Sequence, residues 1–300
     1  MYDIIIVGAG TAGLSAAIYG VRAGKSVMIL EASNYGGQIV NTPEVANYPA
    51  IKRISGFEFA TNLYEQATEL GAVLEYEKVI KIIDKEDSKV VVTDKKEYEC
   101  KSVILATGAK NRLLGVEREK DLIGAGVSYC ATCDGAFFKG KDVAVVGGGN
   151  TALEDAAFLA NYCHKVYVIH RRDKFRGEEK LLGVLEQKHN VTFILDSKVV
   201  KLNGEVKLDS VTIQNIKTEK VEEILIAGLF VAIGQAPENA SFADLIEIDK
   251  GGYIQASEDC KTKVPGIFTA GDCRTKVVRQ LATATADGAV AGLAACEYIG

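Results

Sequence analysis

Two cysteines separated by two residues are the part of this sequence with the clearest chemistry. Cys130 and Cys133 enclose Ala-Thr, and Asp134 follows directly. This C-x-x-C spacing lets the two sulfurs close a small disulfide ring, and the first cysteine of such a motif often has a lowered pKa. The pair therefore predicts thiol–disulfide exchange, with Asp134 as the nearest acid in sequence able to give or take a proton.

The same pair could instead bind zinc or pack as inert thiols in a core. A zinc site needs two further ligands, and the sequence contains no second C-x-x-C and no H-x-x-x-H, so we expect no metal site. A C-terminal imidazole is excluded, because the last hundred residues contain no histidine; the three histidines are His164, His170 and His189. The remaining cysteines are expected to be buried bystanders: Cys100, Cys163, Cys260, Cys273 and Cys296.

A glycine-rich segment near the N-terminus has the pattern of a dinucleotide-binding loop. Gly8, Gly10 and Gly13 follow the apolar residues 2–7 and open an alanine-rich stretch, which predicts a strand, a turn and a helix. The glycines permit close approach of the backbone to a pyrophosphate, and the helix N-terminus offers amide donors. Glu31 ends the next apolar run, where it is placed to accept hydrogen bonds from a ribose diol. A glycine-rich turn without a ligand is the alternative.

A second segment of this kind begins about 139 residues later. It has an alanine in place of the third glycine, which keeps the small side chain that helix–strand packing needs. Basic residues end its second strand, where an acid would favour NAD. Because guanidinium groups bind phosphate bidentately, we expect a preference for the 2′-phosphate of NADPH, with a solvated basic turn as the alternative. The residues assigned to this site are Gly147, Gly149, Asn150, Thr151, His170, Arg171, Arg172 and Arg176.

Strand, glycine turn, helix and strand thus occur twice. This repetition predicts an α/β protein with two Rossmann-like, three-layer ββα nucleotide-binding domains. A strand running into Gly-Asp and an alanine-rich helix end the chain, and we expect this tail to rejoin the first domain. The second domain is then an insertion in the first. The expected domains are residues 1–112 with 241–300, and residues 113–240.

Composition narrows the class of protein further. The formal charge of −5 argues against a general nucleic-acid binder. The longest apolar run, residues 224–234, suits one buried strand that closes the second domain and is too short for a membrane span. The N-terminus has no basic segment and is interpreted as a strand and not a signal peptide. An odd count of seven cysteines in 300 residues favours a reducing cytoplasm.

Taken together, these motifs resemble those of the low-molecular-weight thioredoxin reductases of bacteria, archaea and plants. The resemblance runs along the whole chain, from the first strand through Gly36-Gly37-Gln38, Cys-Ala-Thr-Cys-Asp-Gly and His-Arg-Arg-x-x-x-Arg to Arg279-Gln280-Leu281-Ala282. It implies a homodimer whose FAD domain is interrupted by an NADPH domain. The flavin contacts implied by it are Gly8, Gly10, Gly13, Glu31, Gly37, Gln38, Asn47, Thr107, Gly108, Gly271, Asp272, Arg279, Gln280 and Ala282.

The resemblance also implies a mechanism. Electrons would pass from NADPH through FAD to the Cys130–Cys133 disulfide, and from there to thioredoxin or a thioredoxin-like small redox protein. In this family the second cysteine, here Cys133, faces the flavin, and the first, here Cys130, attacks the partner. A large rotation of the two domains is implied, because the pair cannot touch the flavin and a protein substrate together.

Several related functions share these motifs. Reductases of other small redox carriers use the same dithiol chemistry, and the sequence does not separate them. A relative that takes electrons from ferredoxin would not need Arg171, Arg172 and Arg176, and a dithiol oxidase needs no nicotinamide site. A ferredoxin–NADP reductase would lack the cysteine pair. A non-catalytic flavoprotein would be expected to have an eroded cysteine pair or phosphate loop, and both are intact here.

Overall fold

The computed structural model describes residues 1–85 and 87–300, which form two compact units. Unit 1 comprises residues 1–110 and 236–300, and unit 2 comprises residues 111–235. The chain therefore leaves unit 1 once and returns to it, and the expected insertion of one nucleotide-binding fold in another is confirmed.

The helices and strands follow the expected order. The strands are β1 Tyr2–Val7, β2 Val27–Glu31, β3 Val73–Tyr76, β4 Val79–Asp84, β5 Lys89–Thr93, β6 Glu97–Leu105, β7 Lys110–Asn111, β8 Val127–Ser128, β9 Asp142–Gly147, β10 Lys165–Ile169, β11 Val191–Ile194, β12 Ser197–Asn203, β13 Ser210–Asn215, β14 Val221–Leu225, β15 Gly228–Ala232, β16 Gln235–Ala236 and β17 Ile267–Thr269. The α-helices are α1 Thr11–Arg22, α2 Gly56–Glu69, α3 Ala131–Asp134, α4 Asn150–Leu159, α5 Glu179–Glu186 and α6 Leu281–Ile299.

Unit 1 is built on a sheet with strand order β3-β2-β1-β6-β5-β4, and β17 also pairs with β6. Strands β1, β2, β3, β6 and β17 are parallel, whereas β4 and β5 are antiparallel additions. Alternate residues of β1 enter different cores, Ile4 and Ile6 on one face and Ile5 and Val7 on the other. The sheet is therefore buried on both faces, as parallel sheets generally are.

Helix α6 packs closely against α1 on one face of this sheet. A Cβ atom on Gly288 would lie only 2.2 Å from the carbonyl oxygen of Ala12, and one on Gly292 would lie 2.8 Å from that of Ala16. Glycine is therefore required at these two positions for the helices to approach. This contact fixes the C-terminal helix beside the helix that opens at the first glycine loop.

Unit 2 combines a parallel sheet with an antiparallel one. The parallel sheet has the order β11-β10-β9-β15-β8, and β12, β13 and β14 form the antiparallel sheet. Helices α4 and α5 lie on one face of the parallel sheet, where Leu153, Leu159 and Leu185 enter its core. Strands β7 and β16 pair with each other at the two points where the chain passes between the units.

The expectation of a single strand over residues 224–234 is wrong. The run divides between β14, which pairs with β13, and β15, which lies in the parallel sheet. The chain changes sheets at Ile226 and Ala227, whose N–H groups donate to the backbone carbonyls of Asp209 and Asp142 respectively. Because Ile224 and Leu225 at the end of β14 are apolar although Leu225 is exposed, hydrophobicity alone gives no sign of the break before the buried β15.

Candidate active site

The cysteine pair lies at the carboxyl edge of the parallel sheet of unit 2. Cys130 and Cys133 form a disulfide, with their Cα atoms 5.3 Å apart. Strand β8 leads into the pair, and Cys130 is the N-cap residue of the one-turn helix α3. Ala131 is buried in the core beside α4 and anchors this turn, whereas both cysteines are partly exposed. The fold therefore presents a redox disulfide on an anchored turn.

Asp134 is held beside the disulfide by a serine that the motifs did not single out. The Ser128 hydroxyl donates a 2.6 Å hydrogen bond to Oδ2 of Asp134, and its oxygen accepts the N–H of Cys130 at 3.1 Å. Burial raises the pKa of the Asp134 carboxyl above its ordinary value, and the bond from Ser128 partly offsets this effect. Asp134 thus keeps its proton to a higher pH than an exposed aspartate does, which suits proton exchange with a nearby thiol.

A second buried acid supports the residue before Cys130. Glu119 accepts hydrogen bonds from the N–H groups of Leu114 and Gly115, at 2.8 and 2.9 Å, and from the hydroxyl of Tyr129 at 2.8 Å. Only 2% of Glu119 is exposed. Burial and the neighbouring carboxylate raise the pKa of Tyr129, so that its hydroxyl stays a donor. Sequence spacing gave no signal for Glu119.

The second glycine loop connects β9 to α4 in the same sheet. A Cβ atom on Gly147 would lie 2.4 Å from the carbonyl oxygen of Ala232, whereas one on Gly149 would have no atom of the described residues within 4 Å. Helix α4 begins after Gly149 with no side-chain cap and no acid in its first turn. Gly147 is therefore needed for packing, and Gly149 leaves open the helix N-terminus, where the dipole favours an anion.

The three arginines assigned to the second site lie together after β10. Arg171, Arg172 and Arg176 are exposed, and within the described part of the chain none pairs with a carboxylate. The neighbouring acid, Asp173, lies 3.9 Å from Lys217. The N–H of Arg176 donates to the carbonyl of Gly148 at 2.7 Å, which ties the basic turn to the glycine loop. The arrangement offers three guanidinium groups to a phosphate beside that loop.

His170 is buried beneath the glycine loop and does not share the exposed position of the arginines. It is only 5% exposed, and its ring occupies the space that a side chain on Gly148 would need. Its Nε2 donates to the carbonyl of Lys174 at 3.1 Å when that nitrogen carries the proton, and the ring stacks on Phe175. Burial and the nearby arginines lower the pKa of His170. A neutral His170 therefore shapes the basic turn from below.

Asn150 and Thr151 form the first turn of α4. The side chain of Asn150 donates to Glu178 at 3.0 Å and accepts the N–H of Glu178 at 2.9 Å. Thr151 is exposed. Asn150 thus holds the start of α5 against the glycine loop, while Thr151 faces outward beside it.

The corresponding edge of unit 1 gathers the residues assigned to the first site. Strands β1, β2, β6 and β17 end in register, because Val7 pairs with Leu30 and with Leu105, and Thr269 also pairs with Leu105. Glu31 is the last residue of β2, and the segments that follow β1, β6 and β17 carry Gly8, Thr107 and Asp272 respectively. In open parallel sheets, ligands bind outside the carboxyl ends of the strands. These residues are far apart in sequence and neighbours in space.

The first glycine loop repeats the geometry of the second. A Cβ atom on Gly13 would lie 1.9 Å from the carbonyl oxygen of Gly8, whereas one on Gly10 would have no described atom within 4 Å. Helix α1 begins after Gly10 with no side-chain cap. The Glu31 carboxylate accepts the N–H groups of Ala9 and Ser33, each at 2.8 Å, and is thereby held against the loop.

Two further segments border this loop. Gly36 forms a bridge with Gly10, and a Cβ atom on Gly37 would lie 3.3 Å from the Cα of Gly10. The Gln38 amide donates to the carbonyl of Ala109. The segment after β2 is therefore packed against the glycine loop and attached to the segment after β6.

Thr107 and Gly108 follow the end of β6. Thr107 donates a 2.7 Å hydrogen bond to the side chain of Asn239, which is fully buried and donates in turn to the carbonyls of Gly252 and Cys273. Gly108 has a left-handed backbone with φ of 66°. Asn239 joins the segments that follow β6 and β17, and no sequence motif pointed to it.

Asp272 is the one predicted flavin contact with an unpartnered buried atom. Its Oδ1 is buried and has no hydrogen-bond partner among the described residues. Burial raises the pKa of this carboxyl, against the effects of Lys276 and Arg279. A buried polar atom normally has a partner, so this oxygen fits a ligand hydroxyl. Together with the open space at Gly10, it shows that these residues fit a dinucleotide carrying a polyol chain.

The remaining predicted contacts lie at the start of α6. Gln280 caps this helix in a reciprocal pair with Thr283, and its side chain accepts a 3.2 Å hydrogen bond from Asn47. Ala282 is in the first turn. The Arg279 guanidinium lies over the ring of Tyr253 and donates to backbone carbonyls of residues 272, 274 and 276. Arg279 thus supports the Asp272 segment.

A redox disulfide and two glycine loops, each at the carboxyl edge of a Rossmann-like sheet, define a nucleotide-dependent disulfide oxidoreductase. Among the described residues, no helix is both long and apolar enough to cross a bilayer. The same residues contain no group of three or more His, Cys, Asp or Glu side chains placed to hold a metal ion.

Comparison with known proteins gives the family. A family model described as pyridine nucleotide-disulphide oxidoreductase matches residues 2–288, and the chain belongs to that family. A thioredoxin reductase of Bacillus subtilis is 41% identical over 300 residues, covering 100% of this chain and 95% of the relative. The crystal structure of thioredoxin reductase from Streptococcus pyogenes is 42% identical, with a TM-score of 0.95 over 99% of this chain and 98% of that one. A thioredoxin reductase from Giardia duodenalis is 34% identical, with a TM-score of 0.93 over the same shares.

These findings confirm the resemblance inferred from the motifs. The protein is an oxidoreductase with the fold of thioredoxin reductases. The Cys130–Cys133 disulfide is present where the sequence predicted it. The family implies flavin and nicotinamide cofactors.

Proposed function

We propose that this protein is an NADPH-dependent reductase of thioredoxin or of a thioredoxin-like small redox protein. The observation that carries the proposal is the Cys130–Cys133 disulfide, which lies two strands from the second glycine loop in one sheet. Neighbouring strands are about 4.8 Å apart, so the lateral separation is about 10 Å. The full-length similarity to thioredoxin reductases supports the choice of electron acceptor.

The two cofactors would occupy different units. We assign FAD to residues 1–112 with 241–300, because the unpartnered Oδ1 of Asp272 and the open space at Gly10 fit its ribityl and pyrophosphate groups. We assign NADPH to residues 113–240, because Arg171, Arg172 and Arg176 offer unpaired charge beside the open Gly149 loop. His170 would act by shaping this turn.

When bound, the two cofactors would supply the electron pair that opens the Cys130–Cys133 disulfide. The thiolate of Cys130 then attacks one sulfur of the partner's disulfide, which breaks that bond and forms a mixed disulfide. The thiolate of Cys133 attacks the Cys130 sulfur, which re-forms the internal disulfide and releases the partner as a dithiol. Asp134 would exchange the proton with the thiol at the stage when a thiolate leaves or is formed.

Transfer through both units would require them to change their arrangement during turnover. The disulfide belongs to unit 2 and the proposed flavin contacts to unit 1, while a protein substrate needs free access to Cys130. Such hinge motions take microseconds to milliseconds. A reversible crosslink between the units should abolish thioredoxin reduction until it is cleaved, and full turnover of the crosslinked enzyme would refute the motion.

The same proposal extends to the oligomeric state of the protein and to its cellular compartment. The resemblance favours a homodimer, which light scattering of the purified protein would test. Outside the Cys130–Cys133 pair, the five cysteines are free thiols, and four of them are buried. This usage fits a reducing cytoplasm.

The deciding experiment follows flavin absorbance without oxygen. Rapid bleaching by NADPH but not by equal NADH, reversed by oxidised thioredoxin, is expected. Bleaching that thioredoxin does not reverse, but glutaredoxin-like or peroxidase partners do, would change the acceptor. Failure of both nucleotides to bleach the flavin would refute the NADPH assignment and favour ferredoxin or a dithiol as donor.

A further inference from the structure

Asp287, in the second turn of α6, is the centre of a buried charge cluster that lies outside the cysteine pair and both glycine loops. Its carboxylate accepts the N–H of Gly271 at 3.0 Å, Nε and Nη2 of Arg274 at 2.8 Å each, and Nζ of Lys276 at 2.8 Å. The side chains of Asp287, Arg274 and Lys276 are 8%, 1% and 4% exposed. Residues 271–276 therefore fold around one carboxylate supplied by a helix.

This segment carries Asp272, whose Oδ1 is the buried atom without a partner. The peptide N–H bound by Asp287 belongs to Gly271, directly before Asp272, and Gly271 has a left-handed backbone with φ of 82°. On the other side, the backbone carbonyl of Asp272 accepts a 3.3 Å bond from Arg279. The backbone of Asp272 is thus held at both ends, while its carboxylate is left for a ligand.

The charges of the cluster make Asp287 difficult to replace. Two buried cations share this one buried acid, and the other described carboxylate within 4 Å of them, Glu258, lies 3.6 Å from Arg274 and is 94% exposed. Removing one partner of a buried ion pair leaves an uncompensated charge, which is strongly unfavourable. The cluster therefore holds the 271–276 segment in one conformation.

We propose that Asp287 is a positioning residue of the flavin site, which aims the Asp272 carboxylate into that site by anchoring the peptide before it. The inference rests on the proposed binding of FAD to unit 1. It assigns a function to a residue that lies 16 positions from Gly271, the glycine whose N–H it binds. Without Asp287, the segment would keep its sequence and lose the geometry that leaves Asp272 free for the ligand.

Three variants of the full-length chain distinguish a positioning role of Asp287 from an effect of its charge. Asp287→Asn removes the charge and turns an amide NH₂ toward donors of the segment. Asp287→Asn combined with Lys276→Met makes the same change but keeps the net charge of the cluster, because one anion and one cation are lost together. Lys276→Met alone keeps the bonds from Asp287 to Gly271 and Arg274 and serves as the matched control.

The measurements are the Kd for FAD of the flavin-free chains, from quenching of flavin fluorescence, and their thermal melting. We expect both Asp287→Asn chains to bind FAD about tenfold more weakly or worse, by analogy with outer residues that orient metal ligands. Lys276→Met should weaken FAD binding less than either Asp287→Asn chain, because the bonds from Gly271 and Arg274 to Asp287 remain. Binding of 2′,5′-ADP to unit 2 should be unchanged in all three.

The outcomes distinguish the inference from the proposal beneath it. If the double variant is folded and binds FAD as tightly as wild type, Asp287 is not a positioning residue, even if its melting temperature is lower. Equal weakening of FAD binding by Lys276→Met would also overturn the role, because loss of any member of the cluster, and not of the Asp287–Gly271 bond in particular, would then account for it. A wild-type chain that binds no FAD would overturn the flavin site itself and this inference with it.

Discussion

The Ser128 hydroxyl donates a 2.6 Å hydrogen bond to Asp134 across the turn that carries the redox disulfide, and the same oxygen accepts the N–H of Cys130. One serine thus connects the proposed proton carrier to the backbone of the attacking cysteine. It also tunes the acid, because its hydrogen bond opposes the rise in pKa that burial causes.

Replacing Asp134 should slow proton transfer at the disulfide without changing the supply of electrons from NADPH. We expect Asp134→Asn to slow thioredoxin reduction by about 100-fold, the lower range of general acid–base catalysis. NADPH should still bleach the flavin of this variant at the wild-type rate. Unchanged turnover would show that Asp134 carries no proton.

The pH dependence of activity in Ser128→Ala should show in which direction Ser128 shifts the pKa of Asp134. Where protonated Asp134 acts as the acid, activity is lost as pH rises through its pKa. Since the bond from Ser128 lowers that pKa, Ser128→Ala should move this limb of the profile to higher pH, and Asp134→Asn should remove it. A limb that stays in place in both variants would belong to another group.

The arginines after β10 should decide the choice of nicotinamide cofactor. Each charge-assisted hydrogen bond contributes about 1.5–3 kcal/mol. Loss of Arg171 and Arg172 together should cost roughly 3 kcal/mol or more, about 100-fold in affinity for NADPH. NADH, which has no 2′-phosphate, should bind almost as before. Equal losses for the two nucleotides in a titration would refute the phosphate assignment.

Gly10 and Gly149 allow one glycine loop to be altered while the other loop serves as the control. Neither Gly10 nor Gly149 has left-handed backbone, and an added Cβ would meet no described atom within 4 Å. Alanine at either position should therefore leave the melting temperature nearly unchanged while blocking close approach of a pyrophosphate. We expect Gly10→Ala to weaken FAD binding alone and Gly149→Ala to weaken NADPH binding alone. A reversed pattern in equilibrium titrations would exchange the two cofactor assignments.

The support of Tyr129 by Glu119 should be visible in stability. Glu119→Gln places an amide NH₂ against at least one of three donors, and it should lower the free energy of unfolding by about 2–3 kcal/mol. Tyr129→Phe removes one of the three donors and should cost about 1 kcal/mol. Denaturant unfolding of the flavin-free chains measures both losses of unfolding free energy, and Glu119→Gln is expected to show the larger one. Equal losses would show that the hydrogen bond from Tyr129 dominates.

Asp155, in α4, should make stability depend on pH. Burial raises its pKa from 3.8 to about 7, with a smaller effect of Glu154. The folded state then keeps a proton that the unfolded chain has lost, so stability falls as pH rises from about 4 to about 7. The shift corresponds to at most about 4 kcal/mol, and partial solvent contact should reduce it to about 1–2 kcal/mol.

Asp155→Asn should remove this dependence. Urea unfolding at pH 5 and pH 8 is expected to give the variant a smaller loss of stability than wild type, and Asp121→Asn, an exposed acid of the same unit, serves as the control. An identical loss in wild type and Asp155→Asn would show that Asp155 titrates as an ordinary aspartate.

The sequence by itself determined the strands and helices around the two glycine loops and the chemistry of the cysteine pair. Apolar runs ending at glycines predicted β1, β9 and the helices after them, and the Cys130–Cys133 spacing predicted the disulfide that the structure contains. These features are local, since each depends on residues within one turn or one strand. Sequence periodicity failed at residues 224–234, where the apolar end of one strand runs directly into a second strand that belongs to a different sheet.

Only the tertiary structure decided which distant side chains support the site. Ser128 with Asp134, Glu119 with Tyr129, and Asp287 with Gly271 are joined by single hydrogen bonds at specific distances. No spacing rule predicts these pairs, because polar side chains at such positions have many possible partners until strands and helices pack. Burial then leaves each carboxylate only the donors that the fold brings to it, and this selection converts common residue types into a specific site.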